Sequence, residues 1–243
     1  PEDLALAGIT ELVKVEQDWV PHEKDTSLYI RPFMVGLDAA LGVHSSHHCQ
    51  YIVIVCPVGA YYPEGLDPVK IYVEDEYVRA TPGGTGYIKC GGNYAASLLS
   101  GEKGHEMGYS NIMYLDAAEH KYIEECGAAN FFGIKDGKYI TPKSPSVLPS
   151  ITNMSLRQIA RDMGLVVEER HIPVEELESF EECGACGTAA VISPIGYIYD
   201  MQTEKSYDYG DEVGKNCMEL YTRLQDIQYG RAEDKYDWCT VVL

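Results

Sequence analysis

Thr81-Pro-Gly-Gly-Thr-Gly-Tyr-Ile-Lys-Cys-Gly-Gly-Asn93 is the stretch from which the rest of this 243-residue chain is best read. It is not a phosphate-binding P-loop, because Lys89 is followed by Cys90-Gly91 and not by Ser or Thr. Nor does Gly84-Thr-Gly86 continue into G-x-G-x-x-G. A lysine with glycines on both sides, just ahead of a helix, is an unusual arrangement. Glycines let a bulky planar ligand approach the backbone, and the lysine points into whatever space they leave. Taken alone, the stretch reads first as a surface lysine on a flexible loop, since lysine is mostly exposed.

Working outward, an alternating strand at 69–74 precedes the stretch and a helix at 93–105 follows it. Strands are predicted at 111–116, 122–125 and 130–134, and Asp136-Gly137 turns tightly into another at 138–141. A helix at 152–163 stops at Gly164. A strand at 166–172, a short helix at 174–179 and short alternating strands between Cys186 and Tyr199 follow. The last helix spans 212–227, with Val213, Cys217, Leu220, Tyr221 and Leu224 on its inner stripe. Upstream, an amphipathic helix at 2–18 begins with Pro1 in a helical first turn and Glu2 and Asp3 against the dipole. Strands at 27–35 and 50–58 follow it, and the turn-rich run Tyr61 to Pro68 marks a domain boundary. Strands and helices mix without regular βαβ alternation, which predicts an α+β fold.

The balance of 19 basic against 38 acidic residues gives a formal charge of -19, so nucleic acid and anionic membranes are excluded as natural partners. Small anions bind such a chain only where it concentrates its few cations. The run Tyr51-Ile-Val-Ile-Val55 with Cys56 is too short to span a bilayer and suits a buried strand. No secretory pattern is visible, and localisation reads as cytoplasmic. Cys56, Cys90 and Cys126 lie in apolar runs as small hydrophobes. Cys183-Gly-Ala-Cys186 reads as two strand-end core cysteines, because no second C-x-x-C or spaced His pair makes it a zinc site. His44, His47, His48 and Cys49 read as a polar loop for the same reason, and no metal is expected. Glu175-Glu-Leu-Glu and Glu181-Glu182 read as solvated faces.

Ile88-Lys89-Cys90-Gly91-Gly92-Asn93-Tyr94 resembles the Lys-x-Gly-Gly-Asn-Tyr segment of the branched-chain amino-acid aminotransferases of class IV. Tyr29-Ile-Arg-Pro32 resembles that family's substrate-side strand, and Cys56-Pro-Val-Gly-Ala-Tyr61 its interdomain segment. Glu125-Cys-Gly-Ala-Ala-Asn130 resembles Glu-x-Gly-x-x-Asn, Val147-Leu-Pro-Ser-Ile-Thr152 resembles Leu-Pro-Gly-Ile-Thr, and Gly187-Thr-Ala-Ala190 the Gly-Thr-Ala turn. The motifs occur in family order and spacing, from about residue 10 to Gln228-Tyr-Gly230.

The resemblance implies a class IV aminotransferase fold: the remainder of a small α/β domain at 1–65, then a large mixed α+β pseudo-barrel domain at 66–243 that binds pyridoxal 5'-phosphate. It implies transfer of the amino group between leucine, isoleucine or valine and 2-oxoglutarate, and a homodimer. Lys89 would hold the cofactor covalently and, once released, carry the substrate's proton; burial would leave it a usable neutral amine. Glu125 would face the pyridine nitrogen, Tyr94 the phenolic oxygen, and Ile151, Thr152 and Thr188 the phosphate. Thr188 and Ala189 would supply turn amides for the substrate carboxylate, with Ala128 beside them. Tyr29 and Arg31 share a strand face by the pocket, where Arg31 could receive the second carboxylate of glutamate. Tyr61 and Val43 would line the aliphatic pocket, Val43 from across a dimer interface.

The chain departs from the pattern at Ser150, where the family has Gly, at Ala128, and at Asn153, where a basic residue is common. The family's N-terminal part, with an arginine for the cofactor phosphate, is expected upstream of Pro1. Two alternatives remain: another member of the same fold, such as a D-amino-acid aminotransferase or an aminodeoxychorismate lyase, or a fragment that keeps the fold without activity.

Overall fold

Along the second half of the chain, strands carry two alternating sets of large side chains and so bury both faces. Ile71 and Val73 point into one core and Tyr72 into another; Met113 and Leu115 oppose Ile112 and Tyr114 in the same way. A computed structural model describes residues 1–24, 26–59 and 66–242. It divides into two compact units, 1–63 with 236–243, and 64–235. The predicted boundary near residue 65 and the candidate Tyr61 lie outside the described residues.

The first unit holds helix α1 (Glu2–Val15) and an antiparallel ribbon of β1 (Ser27–Gly36) and β2 (Cys49–Val58), with Arg31 opposite Ile54. The predicted helix to residue 18 ends earlier, and Gln17–Trp19 forms a single 3-10 turn. None of this unit's described residues is buried. Cys56 is correspondingly exposed, contrary to the expectation of a core thiol.

The second unit contains β3 (Val69–Val73), α2 (Gly91–Ala95), α3 (Leu98–Glu106), β4 (Asn111–Leu115), β5 (Ile123–Cys126), β6 (Ala129–Lys135) and β7 (Lys138–Pro142). Then come α4 (Ile151–Asp162), β8 (Val166–Arg170), a 3-10 segment at Val174–Ser179, β9 (Glu182–Gly187), β10 (Val191–Asp200), β11 (Lys205–Asp208) and α5 (Lys215–Gln228). Strand β9 pairs with both β6 and β10, and β10 pairs with β3, so the circuit β3-β4-β5-β6-β9-β10 closes on itself. Parallel pairs (β10 with β3, β3 with β4, β7 with β8) mix with antiparallel ones. This is the expected α+β pseudo-barrel, with β7 and β8 extending from β6 and β11 from β10. Ile71, Met113, Phe131, Ile140 and Ile198, each at most 1% exposed, belong to its interior.

The helix expected at 93–105 is two helices. Ser97 Oγ donates to the Tyr94 carbonyl at 2.8 Å, competing with the backbone ladder where α2 gives way to α3. The last helix starts at Lys215 and not at 212, because the Glu182 carboxylate accepts the N–H groups of Asn216 (3.0 Å) and Cys217 (2.8 Å). Glu182 is therefore half-buried and structural, and Glu176 pairs with Arg170 at 2.6 Å; neither is simply a solvated face.

Candidate active site

Lys89 sits at the tip of a three-residue turn closed by the Cys90 N–H on the Ile88 carbonyl at 2.9 Å. The turn is fixed by buried Asn93, whose Nδ2 donates to the carbonyls of Thr85 and Ile88, both at 2.7 Å, while its Oδ1 accepts from Thr85 Oγ1 at 2.6 Å. Lys89 Nζ donates to the Tyr94 hydroxyl at 2.7 Å, so two candidates meet. Lys89 is exposed, not buried as expected, because nothing among the described residues covers the tip: a Cβ on Gly91 or Gly92 would meet nothing within 4 Å. Cys90 is likewise only half-buried. Behind the turn, Gly86 has no such room; a Cβ there would collide with the Ser146 carbonyl, so the glycine permits close approach of two backbones.

Glu125 lies on β5 with only 3% exposure. Its Oε1 accepts from Asn130 Nδ2 at 2.6 Å and from the Leu148 N–H at 2.9 Å, and its Oε2 pairs with Arg79 Nη2 at 2.6 Å. Burial pushes its carboxyl up to about 7, against the pull of Arg79. Arg79 also donates to the carbonyls of Ser146 (2.6 Å) and Gly86 (3.4 Å). One guanidinium thus ties the lysine-bearing segment, β5 and the loop before α4 together. Neighbouring Glu124 is buried too and accepts from Ser144 Oγ at 2.5 Å; β5 lies between β4 and β6, so both carboxylates are carried by an interior strand.

Helix α4 begins at Ile151 and Thr152, whose N–H groups fall in the first turn and have no acceptor inside the helix. Ser150 Oγ caps it by accepting from the Asn153 N–H at 3.2 Å. Thr188 and Ala189 are exposed in the turn between β9 and β10. That turn ends in a strained residue: Val191 has φ 60° while the Ile192 N–H reaches the Ala190 carbonyl at 2.7 Å. A β-branched side chain in that region costs on the order of 1–3 kcal/mol, and such strain clusters at functional sites. Exposed Ala128 belongs to the adjoining β5–β6 turn, since a Cβ on Gly187 would lie 4.0 Å from the Ala128 carbonyl oxygen.

In the first unit, Arg31 Nη2 donates to the Tyr29 hydroxyl at 3.1 Å, confirming their common strand face. Val43 is fully exposed in the loop after β1. Asp38 closes that loop on the His47 and His48 N–H groups at 2.8 and 3.0 Å. Among the described residues no group of His, Cys, Asp or Glu could hold a metal ion.

A groove of about 560 Å³ is lined by Asn130, Leu148, Ser150 and Asn153, with Arg157 and Arg170 among others. Sequence reasoning missed Arg79, and gave no role to Asn93, Asn130 or the Leu148 amide. An arginine ten residues ahead of the lysine, in so acidic a chain, was the available signal for the first.

The donor set suits pyridoxal phosphate. Two donors fill Glu125 Oε1, and Arg79 takes one lone pair of Oε2, leaving one for a protonated ring nitrogen. The model of the class IV amino-transferase family matches residues 2–198. The probable branched-chain-amino-acid aminotransferase of Staphylococcus epidermidis is 45% identical over 98% of this chain and 68% of its own length. That of Haemophilus influenzae is 44% identical over 100% of this chain and 73% of its own. A T.th. branched-chain amino acid aminotransferase solved with pyridoxamine 5'-phosphate superposes with a TM-score of 0.83 at 25% identity, covering 97% of this chain and 74% of that one. The Escherichia coli enzyme gives 0.77 at 28%, covering 99% and 76%. Identity at this level over nearly every residue, with the same fold beneath it, places the chain in the class IV aminotransferase family, among its branched-chain-amino-acid aminotransferases.

Proposed function

We propose that this chain binds pyridoxal 5'-phosphate and transfers the amino group between leucine, isoleucine or valine and 2-oxoglutarate. The observation that carries the reading is Lys89, presented on its tight turn with Nζ 2.7 Å from the Tyr94 hydroxyl. When bound, the cofactor supplies an electron sink for the charge that develops as Cα loses its proton. Lys89 takes that proton and returns it on the other side of the transfer. Glu125, an acceptor-only carboxylate with three donors around it, keeps a ring-nitrogen proton in place. The first-turn N–H groups of Ile151 and Thr152, with the Thr188 hydroxyl, hold the phosphate. The Thr188-Ala189 turn, next to Ala128, takes the substrate carboxylate, while Arg31 and Tyr29 receive the second carboxylate of glutamate. Val43 and Tyr61 meet the aliphatic side chain.

The enzyme acts as a cytoplasmic homodimer, with a small domain at 1–65 and a cofactor-binding domain at 66–243. The dimer reading is supported by the exposed apolar side chains of the first unit, Leu41 and Val43 above all. Among the described residues no helix is long and apolar enough to cross a membrane.

The test is to incubate the protein with pyridoxal phosphate, reduce with borohydride and map the modified peptide by mass spectrometry. A phosphopyridoxyl group confined to Lys89, and absent after prior treatment with leucine, is expected. Scattered labelling of other lysines, or none, would overturn the reading.

A further inference from the structure

Beneath Glu125 runs a chain of hydrogen bonds whose donors all point the same way. The Tyr139 hydroxyl on β7 donates to Asn153 Oδ1 at 2.9 Å, and Asn153 Nδ2 donates to Asn130 Oδ1 at 3.3 Å. Asn130 Nδ2 then donates to Glu125 Oε1 at 2.6 Å. All four side chains are buried. A side-chain amide presents an oxygen on one side and an N–H on the other, so only its partners decide which faces which way. Asn153 is decided twice. The Tyr139 hydroxyl, kept protonated by burial, donates to the amide oxygen. Thr141 Oγ1 gives its own proton to the Phe131 carbonyl at 2.7 Å, so it only accepts, and it takes Asn153 Nδ2 at 2.9 Å. With Asn153 fixed, Asn130 turns its oxygen toward Asn153, while its Nδ2 faces the carboxylate and also the Leu148 carbonyl at 3.2 Å. Ser150 and Asn153, joined by the cap of α4, are two of the positions where this chain departs from the pattern it otherwise follows.

We infer that Asn153 and Tyr139 are positioning residues for Glu125: the Tyr139–Asn153–Asn130 relay sets an N–H, and not an oxygen, against the carboxylate and so favours its ionised form against the opposing effect of burial. The inference rests on the proposed importance of Glu125 but not on a bound cofactor. The charged groups facing Glu125 are few: Arg79 from the segment after β3 and Glu124 on its own strand. The thiols of Cys126 on β5 and Cys186 on β9 also face it, both pushed up by burial and neutral. Neither thiol donates to it, so the relay and the Leu148 amide are what Arg79 is supplemented by.

The experiment is a carbon-13 NMR titration of the Glu125 carboxyl in the cofactor-free protein, assigned with Glu125→Gln. Tyr139→Phe removes one hydroxyl and keeps the ring stacked on Phe132, 4.8 Å away. It takes away one of the two groups that orient the Asn153 amide, and the Glu125 midpoint should rise by about half a pH unit. Asn153→Asp puts an acceptor where the donor was and should raise it by about one unit or more. Phe132→Leu disturbs the ring stacked on Tyr139 without removing any hydrogen bond of the relay and should move the midpoint by less than about 0.2 units, whatever it does to the melting temperature. An unchanged midpoint in folded Tyr139→Phe, or an equal shift in Phe132→Leu, would overturn the relay. A shifted midpoint in a protein that takes up no pyridoxal phosphate at Lys89 supports the relay and refutes the proposed function instead.

Discussion

Replacing Arg79 with Met removes the cation paired with Glu125 while keeping a long apolar stem in place. The carboxyl titrates at about 7 in the folded chain against an ordinary 4.5, so the folded state binds this proton more tightly than the unfolded one. Stability from that proton is present below about pH 4.5 and is lost as pH rises through about 7, at about 1.4 kcal/mol per unit, or about 3 kcal/mol in all. Above that point the natural chain loses no more. In Arg79→Met the folded carboxyl titrates higher still, since the group that lowers it is gone. The variant therefore goes on losing stability where the natural protein has stopped. Below about pH 7 the two differ by a constant that reflects packing and the lost bonds to Ser146 and Gly86; from there to about pH 9 the gap should widen by about 1–3 kcal/mol. Urea unfolding at successive pH values measures it. Circular dichroism is the right probe, because Trp19 and Trp238, the two tryptophans, both lie in the other unit. A gap that stays constant or narrows above about pH 7 would refute the electrostatic reasoning and leave Arg79 as a packing residue.

Two further substitutions probe the frame around the site. Ser150→Ala removes the cap of α4 and should cost about 1 kcal/mol, whereas Ser150→Gly should cost only a few tenths; no loss for Ser150→Ala in thermal melts would mean the hydroxyl does not cap. Phe131→Ala empties part of the barrel, where the ring is fully buried and meets Phe180 edge-on at 6.0 Å. A loss of about 3–5 kcal/mol in urea unfolding is expected, and one below about 1 kcal/mol would show that the interior closes over the gap.

Much of this was legible in the order of residues, for local reasons. Asp136 and Gly137 adopt φ values of 50° and 69°, and Gly164 one of 84°, the left-handed conformations that their residue types announce. Lys89 and Tyr94 meet because they lie five positions apart across one turn and the start of a helix. Closure of the barrel was not legible, since β9 pairs with strands on both sides of it and alternating residues do not say which partner they will find. The burial of Arg79 depends on Glu125 and Ser146, 46 and 67 positions away. Ser150 and Asn153 looked like mild departures from a pattern; only their bonds to one another and to Asn130 show what they do. The ends of α1 and α5 and the break at Ser97 were set by single side-chain and backbone bonds too weak to outweigh periodicity in a sequence reading.

The placement of the thiols gives this fold an internal clock. Cys49, Cys56 and Cys239 lie at the surface and Cys90 is half-covered, while Cys126, Cys183, Cys186 and Cys217 are enclosed. Only a thiolate attacks an alkylating reagent, and burial holds the Cys186 thiol near 12 and pushes the other three enclosed thiols well above the ordinary range. Mass gained from such a reagent therefore arrives in two stages, and the second runs only as fast as the barrel opens. Because the enclosed four sit on β5, β9 and α5, the order in which they react separates peeling of the last helix from rupture of the sheet. The chain's own thiols serve as the reporters.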